Sequence, residues 1–448
     1  MSRQLELPFE SRGEAPAGER SAETPTAARG SERPGASGWM ERVVERPNLL
    51  AALKRVRRNQ GSPGIDGMTV DELPAYLGEH WPRLREQLLA GTYQPAPVKR
   101  QAIPKRGGGM RELGIPTVLD RFIQQALLQV LQPHFDPTFS QHSYGFRPGR
   151  RAHDAVRAAR RYVQEGRRIV VDVDLEKFFD RVNHDVLMGK LAGRIADRRL
   201  LGLIRRYLEA GVMLHGVVVE RYEGTPQGGP LSPLLANVLL DSVDRELERR
   251  GHAFVRYADD CNVYVRSWRA GERVMELLRR LYARLRLRVN EAKSRVDLAT
   301  RRSILGFTFW WGAGRTAMCR VAPKALGVMK ERVRRLTRRT RGRSLVQIAG
   351  DLRSYLVGWR EYFRLADTPR VFGGLDQWIR RRLRAVQLKH WRHRRVIYRE
   401  LRARGLPDAK ARRLAANGQR WWHSSAAGIH IALPNSFFDQ LGLPRLGA

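Results

Sequence analysis

Cysteine is almost missing from this 448-residue chain, which carries only Cys261 and Cys319. Two thiols cannot build a disulfide framework or a cysteine-rich zinc site. Long apolar runs are missing too, so no stretch reads as a membrane-spanning helix. The first residues, Met1-Ser2-Arg3-Gln4-Leu5-Glu6-Leu7, lack the sustained apolar core of a secretory signal, and the cytoplasm is the expected compartment. Acidic residues are the third scarcity: 45 Asp and Glu stand against 83 Lys and Arg, a formal net charge of +38. A balance this basic implies a polyanionic partner, RNA or DNA before an anionic membrane surface. Residues 1–38 are nearly free of aromatics and rich in Ala, Gly, Ser, Pro, Glu and Arg. That composition cannot offset chain entropy by burial, so a disordered tail is expected there. With 42% of the chain hydrophobic, the rest is expected to fold, as two or three domains.

Helix begins near Trp39, where Leu49, Leu50, Leu53 and Val56 mark an apolar stripe. The loop Gly61-Ser62-Pro63-Gly64-Ile65-Asp66-Gly67 follows. No Gly-Lys-Ser/Thr comes after it, so it is not a P-loop; it reads as a linker or as a loop laid on nucleic-acid backbone. Short strands over residues 98–103 and 110–115 flank Gly107-Gly108-Gly109, with Lys105 and Arg111 beside the turn and able to point at a phosphate. An ordinary basic hairpin is the alternative. Residues 143–150 form a basic, aromatic turn ahead of a helix over 152–165. Gly224-Thr225-Pro226-Gln227-Gly228-Gly229-Pro230 feeds an amphipathic helix through Leu234, Leu239, Val243 and Leu247, a helix start suited to a phosphate or a base edge. Residues 321–420 hold 28 Lys and Arg against 7 Asp and Glu, a net of +21. Ile348, Leu352, Leu356, Trp359 and Phe363, then Leu375, Ile379, Leu383 and Val386, recur at helical spacing. A small helical domain with an arginine-dense surface is expected, and the missing acids point to nucleic acid. The candidate RNA- or DNA-binding residues are Arg147 in the aromatic turn and Arg334, Arg335, Arg338, Arg339, Lys389 and Arg392 in the helical region.

The chemistry concentrates in Phe254-Val255-Arg256-Tyr257-Ala258-Asp259-Asp260-Cys261-Asn262-Val263-Tyr264-Val265. Two adjacent carboxylates sit between β-prone runs, which predicts a hairpin with Tyr-Ala-Asp-Asp at its turn. Adjacent Asp residues repel, and folding alone gives no reason to place them there. A divalent cation does, although a solvated Asp-Asp turn is the plain alternative. Ile169-Val170-Val171-Asp172-Val173-Asp174 reads as an interior strand with acids at its end, where a carboxylate is costly unless paired or metal-bound. Antiparallel packing of this strand against the hairpin would gather Asp174, Asp259 and Asp260. Three carboxylates at one point need cations, and two Mg2+ ions about 4 Å apart suit in-line phosphoryl displacement, the chemistry of a polymerase.

Eight blocks then fall in the order of a known family. They are Gly64-Ile65-Asp66-Gly67; Pro104-Lys105 with Arg111, Gly114-Ile115-Pro116-Thr117 and Asp120-Arg121; Tyr144-Gly145-Phe146-Arg147-Pro148; Asp174 through Asp180; Thr225-Pro226-Gln227-Gly228-Gly229-Pro230; Tyr257-Ala258-Asp259-Asp260; the Lys293 turn; and Leu305-Gly306-Phe307. The block Tyr355-Leu356-Val357-Gly358-Trp359-Arg360-Glu361-Tyr362-Phe363 adds a maturase-like segment. From about residue 45 onward the chain resembles bacterial group II intron-encoded reverse transcriptases and maturases. The resemblance implies an α+β right-hand polymerase with fingers, a palm built on an antiparallel sheet, and a helical thumb. It divides the chain into the 1–38 tail, an N-terminal extension and fingers over 39–165, a palm over 166–315, a thumb or maturase domain over 316–400 and a basic extension over 401–448.

The same resemblance implies site residues. Asp174, Asp259 and Asp260 match the catalytic, metal-binding carboxylates, with the backbone carbonyl of Leu175 as a further ligand, for two Mg2+ ions or Mn2+ in their place. Phe179 matches the bulky side chain that blocks a 2′-hydroxyl and so selects dNTPs. Lys105 and Arg111 match residues that grip the triphosphate, Gln227 the glutamine near the incoming sugar, and Lys293 a general acid or electrostatic helper. The implied partners are group II intron RNA, an RNA template, a DNA primer or target and dNTPs, in a bacterial cytoplasm and with no membrane; a homodimer is left open. No His-Asn-His endonuclease is seen after the thumb, an ending that resembles the endonuclease-lacking lineages. The leading expectation is an RNA-directed DNA polymerase that also binds its intron RNA and assists splicing. A splicing-only RNA-binding maturase with an idle polymerase fold is one alternative, and the three acids argue against it. The other is a domesticated reverse transcriptase serving defence, CRISPR adaptation or repair.

Overall fold

A computed structural model describes residues 38–104, 110–214, 217–219, 223–225, 228–339, 342–417, 421–425 and 428–447. The tail expected over 1–38 lies, apart from Gly38, outside the described residues. The chain forms two compact units, one holding residues through Ala155 and 169–296, the other 156–168 and 297 onward.

The first unit carries β1 (Val98–Pro104), β2 (Met110–Ile115), β3 (Ile169–Val173), β4 (Val212–Leu214), β5 (Val217–Val219), β6 (Ala253–Tyr257), β7 (Asp260–Val265) and the start of β8 (Arg295–Leu298). These make two four-stranded sheets, ordered β2-β1-β4-β5 and β6-β7-β3-β8. In the first, β1 and β2 pair antiparallel, ending at Pro104 opposite Met110 beside the glycine turn. The second is central. The β-branched run of β3 is buried at Ile169, Val170, Val171 and Val173, as a strand covered on both faces requires. Beside it β6 and β7 form the expected hairpin, every residue from Cys261 to Val265 being buried. The helix Ser232–Arg249 starts with proline in its first turn and buries Leu235, Leu239, Val243 and Leu247, four residues spaced along one face. The helix Trp268–Arg284 is capped by Ser267, whose hydroxyl accepts the Ala270 N–H.

The second unit begins with a hairpin of β9 (Phe307–Trp311) and β10 (Ala317–Val321) and continues in helices. The longest, Leu345–Phe363 and Pro369–Trp391, bury the expected stripes: Ile348, Leu352, Leu356, Trp359 and Phe363 on one, Leu375, Ile379, Leu383 and Val386 on the other. Ser344 and Gln347 close a capping box on the first of them. The chain is therefore α+β, and among the described residues no helix is long and apolar enough to cross a membrane.

Candidate active site

Register brings the acids together. β3 pairs antiparallel with β7, Val173 lying opposite Cys261, so the next residues outward are Asp174 on one strand and Asp260 on the other. Tyr257 pairs with Asp260 across the hairpin, which leaves Ala258 and Asp259 as a two-residue turn. The three acids thus share one edge of the central sheet.

The strand end at Asp174 is stitched to the turn before β8. The Asn290 N–H donates to the Asp174 carbonyl at 2.8 Å, and the Asp174 N–H donates to the Ser294 hydroxyl at 3.0 Å. Leu175 lies opposite Val289, but the ladder bonds are made by Asp174 and by Glu176, whose N–H reaches Arg288 at 2.9 Å. Leu175 is the non-bonded member of the ladder, so its carbonyl turns to the opposite edge. Lys293 Nζ sits 2.7 Å from Asp174 Oδ2. That bond raises the lysine pKa, with Asp260 and Asp259 adding to the effect. Asp260 is pushed up to about 7, first by desolvation and then by the carboxylates of Asp259, Asp174 and Asp172, with Lys293 opposing. Asp260 is exposed at its own surface, which makes the neighbouring carboxylates the firmer of these causes. Asn262 restrains Asp172 by a 2.9 Å bond.

The donors are all hard oxygens and they crowd one another, which suits Mg2+ or Mn2+. The Lys293 ammonium already answers part of that demand for positive charge. Among the described residues no group of three or more His, Cys, Asp or Glu side chains is placed to hold a metal ion.

The turn itself is held from beneath by residues that sequence reasoning did not single out. Ala258 adopts a left-handed φ of +58°, unfavourable for a residue with a Cβ. Its carbonyl accepts a 2.9 Å bond from Arg256, whose guanidinium also meets Asn237 at 2.9 Å and Asp244 at 2.6–2.9 Å. Arg256 and Asp244 are fully buried. Burial opposes the arginine's charge, but the Asp244 carboxylate keeps its pKa above the ordinary value. Asn237 donates in turn to the Gly145 carbonyl at 3.0 Å. Gly145 packs so closely that a Cβ there would stand 2.2 Å from the Ala258 nitrogen, which is why this position takes glycine.

Of the other expected nucleotide-binding residues, the side chain of Phe179 is described. Phe179 is half-buried in the short 3-10 turn Phe178–Asp180, its ring 5.1 Å from that of Phe178 and its carbonyl accepting the Thr225 N–H at 2.7 Å. The loop after Thr225 also reaches β2, since a Cβ on Gly228 would lie 2.7 Å from the Gly114 carbonyl. Gln227 and Lys105 lie outside the described residues, and Arg111 is described only as a backbone position opposite Ile103.

Arg147 requires a correction. Expected to face nucleic acid, its side chain is 3% exposed. It donates to Asp136 at 2.8 Å and to the carbonyls of Ser140, Ser143 and Asp136 at 2.6, 3.1 and 2.7 Å. With its donors spent internally it is a fold anchor, and a phosphate could reach it only by breaking that loop. In the second unit Arg334, Arg335, Arg338, Arg339 and Arg392 are exposed and Lys389 is half-buried. Arg334 and Arg382 lie over Trp378, and Arg339 and Lys389 over Trp421, at 5.5–5.9 Å.

Comparison with known proteins adds two domain matches. Residues 103–309 match the family described as reverse transcriptase (RNA-dependent DNA polymerase), and residues 326–405 the group II intron, maturase-specific domain. Protein YkfC of Escherichia coli (strain K12) is 38% identical over 216 residues, 47% of this chain and 57% of that protein. Group II intron-encoded protein LtrA of Lactococcus lactis subsp. cremoris is 36% identical over 206 residues, 46% of this chain and 34% of that protein. The chain therefore spans only about a third to just over half of these relatives' length. A partial Cas6-RT-Cas1–Cas2 complex superposes with a TM-score of 0.36 at 26% identity, over 55% of this chain and 42% of that one, too low a score to bear on the fold. In chain order, a match to a reverse transcriptase domain is thus followed by a match to a group II intron maturase-specific domain.

Proposed function

We propose that this protein is an RNA-directed DNA polymerase encoded by a group II intron. It copies intron RNA into DNA and, as a maturase, holds that RNA in its splicing-competent fold. The observation that carries the polymerase reading is the β3–β7 register, with Asp174, Asp259 and Asp260 on one sheet edge. The maturase reading rests on the match over residues 326–405.

Reverse transcriptase domains use divalent metal ions. Here Asp174, Asp259, Asp260 and the Leu175 carbonyl would hold them, and such ions supply charge stabilisation for the triphosphate and acidify the primer hydroxyl. Lys293 keeps Asp174 oriented and contributes positive charge beside it. Phe179 excludes a 2′-hydroxyl from the sugar site, while Lys105, Arg111 and Gln227 contact the incoming nucleotide. The basic helical region binds intron RNA through its phosphates. The expected location is the bacterial cytoplasm.

Primer extension on an RNA template with dNTPs and Mg2+ tests this, with wild type beside Asp259→Ala and splicing of an adjacent intron assayed in parallel. Extension is expected to fall by about a thousandfold or more, the worth of several kcal/mol of transition-state stabilisation, while splicing persists. A wild type that binds RNA tightly yet extends nothing would overturn the polymerase reading and leave a splicing-only maturase.

A further inference from the structure

The aromatic turn ahead of the helix over 152–164 offers an unusual combination. Phe146 is 45% exposed and sits at a left-handed φ of +61°, a conformation that a bulky residue adopts only when its surroundings impose it. They do so from both sides. Before it, the Tyr144 N–H donates to the Arg256 carbonyl at 2.9 Å, Ser143 bridges to Arg256 in parallel, and Gly145 is clamped against Ala258. After it, Arg147 is buried with its donors committed. Residues 143–145 thus run beside β6 toward the hairpin tip, with Ser143 level with Arg256 and Gly145 packed against Ala258, so Phe146 is the next residue beyond that contact with the turn. An apolar ring is held in water, on a strained backbone, one residue beyond the glycine that packs against the paired-aspartate turn. Packing gives no reason to keep it there.

Resting on the polymerase reading above, we propose that Phe146 is a stacking platform for a nucleobase of the polynucleotide threaded past the paired-aspartate turn. A base offers a flat π-face of any sequence, which an exposed phenyl ring accepts without hydrogen-bond readout. The fixed backbone on either side keeps the ring in register with the acids, so stacking would set how the strand lies at the reacting edge.

The test uses the full chain and an RNA template–DNA primer duplex with 2-aminopurine in the template overhang. Affinity is read by anisotropy and stacking by 2-aminopurine quenching, for wild type, Phe146→Ala, Phe146→Gly and Phe146→Trp. Ala and Gly are expected to weaken binding by roughly 5- to 100-fold and to abolish quenching, and Trp to restore both. Phe146→Gly is expected to melt no lower than wild type, because glycine accepts the positive φ. Less than a threefold loss in the Gly variant, or a melting drop that Trp does not rescue, would overturn the platform and make Phe146 a packing residue. A wild type that binds no primer–template would instead bring down the polymerase reading itself.

Discussion

In the first unit Arg147 and Arg256 are buried, their side chains 3% and 0% exposed, and every guanidinium nitrogen meets an oxygen. In the second unit Arg334, Arg335, Arg338 and Arg339 lie exposed at the end of the helix Pro323–Leu336 and just beyond it, two of them over tryptophan faces. The same side chain serves as an internal clamp in one place and as an exposed cation in the other. A planar fork with five donors can satisfy several carbonyls and a carboxylate at once, so arginine can be buried where lysine could not. Net charge therefore overstates the surface available to a polyanion, and burial decides which cations count. The carboxylate turn follows the same division. Its acids face outward, while the groups that fix it (Arg256, Asp244 and Asn237) are sealed beneath.

Breaking the clamp should give the largest effect. Arg256→Met leaves Asp244 buried without its counter-charge, a loss of about 4 kcal/mol, read as a fall in the urea midpoint. Replacing both partners, Arg256→Met with Asp244→Leu, should recover most of that stability because no uncompensated charge remains. Primer extension should stay impaired in the double variant, since the Ala258 carbonyl has lost its donor and the turn its restraint. A single variant as stable as wild type would remove Arg256 from the clamps. Arg147→Ala comes next, at about 3 kcal/mol, for the loss of an ion pair and of bonds to three carbonyls. Its folded fraction should bind RNA with an unchanged salt slope; a slope lowered by about one would return Arg147 to the nucleic-acid face.

Much of this architecture was legible before any coordinates. β-branched runs marked β3, β6 and β7, and an acid just beyond a buried valine marked the edge where Asp174, Asp259 and Asp260 meet. The apolar stripes of the two long helices in the second unit were equally plain, because a 3.6-residue period reports burial directly. Arg147 was misjudged because burial of a cation depends on partners that local pattern does not reveal: Asp136 lies eleven residues upstream, and the other acceptors are backbone carbonyls. The Arg256–Asp244 pair did leave a signal, an acid on the apolar stripe between Leu240 and Leu247 and a cation inside a buried strand, two anomalies that explain each other. Ser294 left none, since a hydroxyl in a turn has too many ordinary uses. The Val217-Val218-Val219 run of β5 was readable but too short to stand out.

The smallest stability effect belongs to the exposed arginines, and it sharpens the contrast most. Single alanine substitutions at Arg335 and Arg338 should change stability by no more than about 0.5 kcal/mol. Arg334 and Arg339 should cost slightly more, about 0.5–1 kcal/mol, for their contacts with Trp378 and Trp421. Binding should behave oppositely. Each phosphate contact removed lowers the slope of log K against log salt by about 0.7 for single-stranded RNA, so the fourfold variant should lose up to about 3 from the slope while remaining folded. Titrating intron RNA at several salt concentrations, with melting curves in parallel, measures both. A fourfold variant with an unchanged slope would mean that these cations are solvated decoration and that RNA is met elsewhere. A reduced slope with intact melting would show that the charge exposed at these four arginines is kept for a partner, whereas that of Arg147 and Arg256 is spent on the fold.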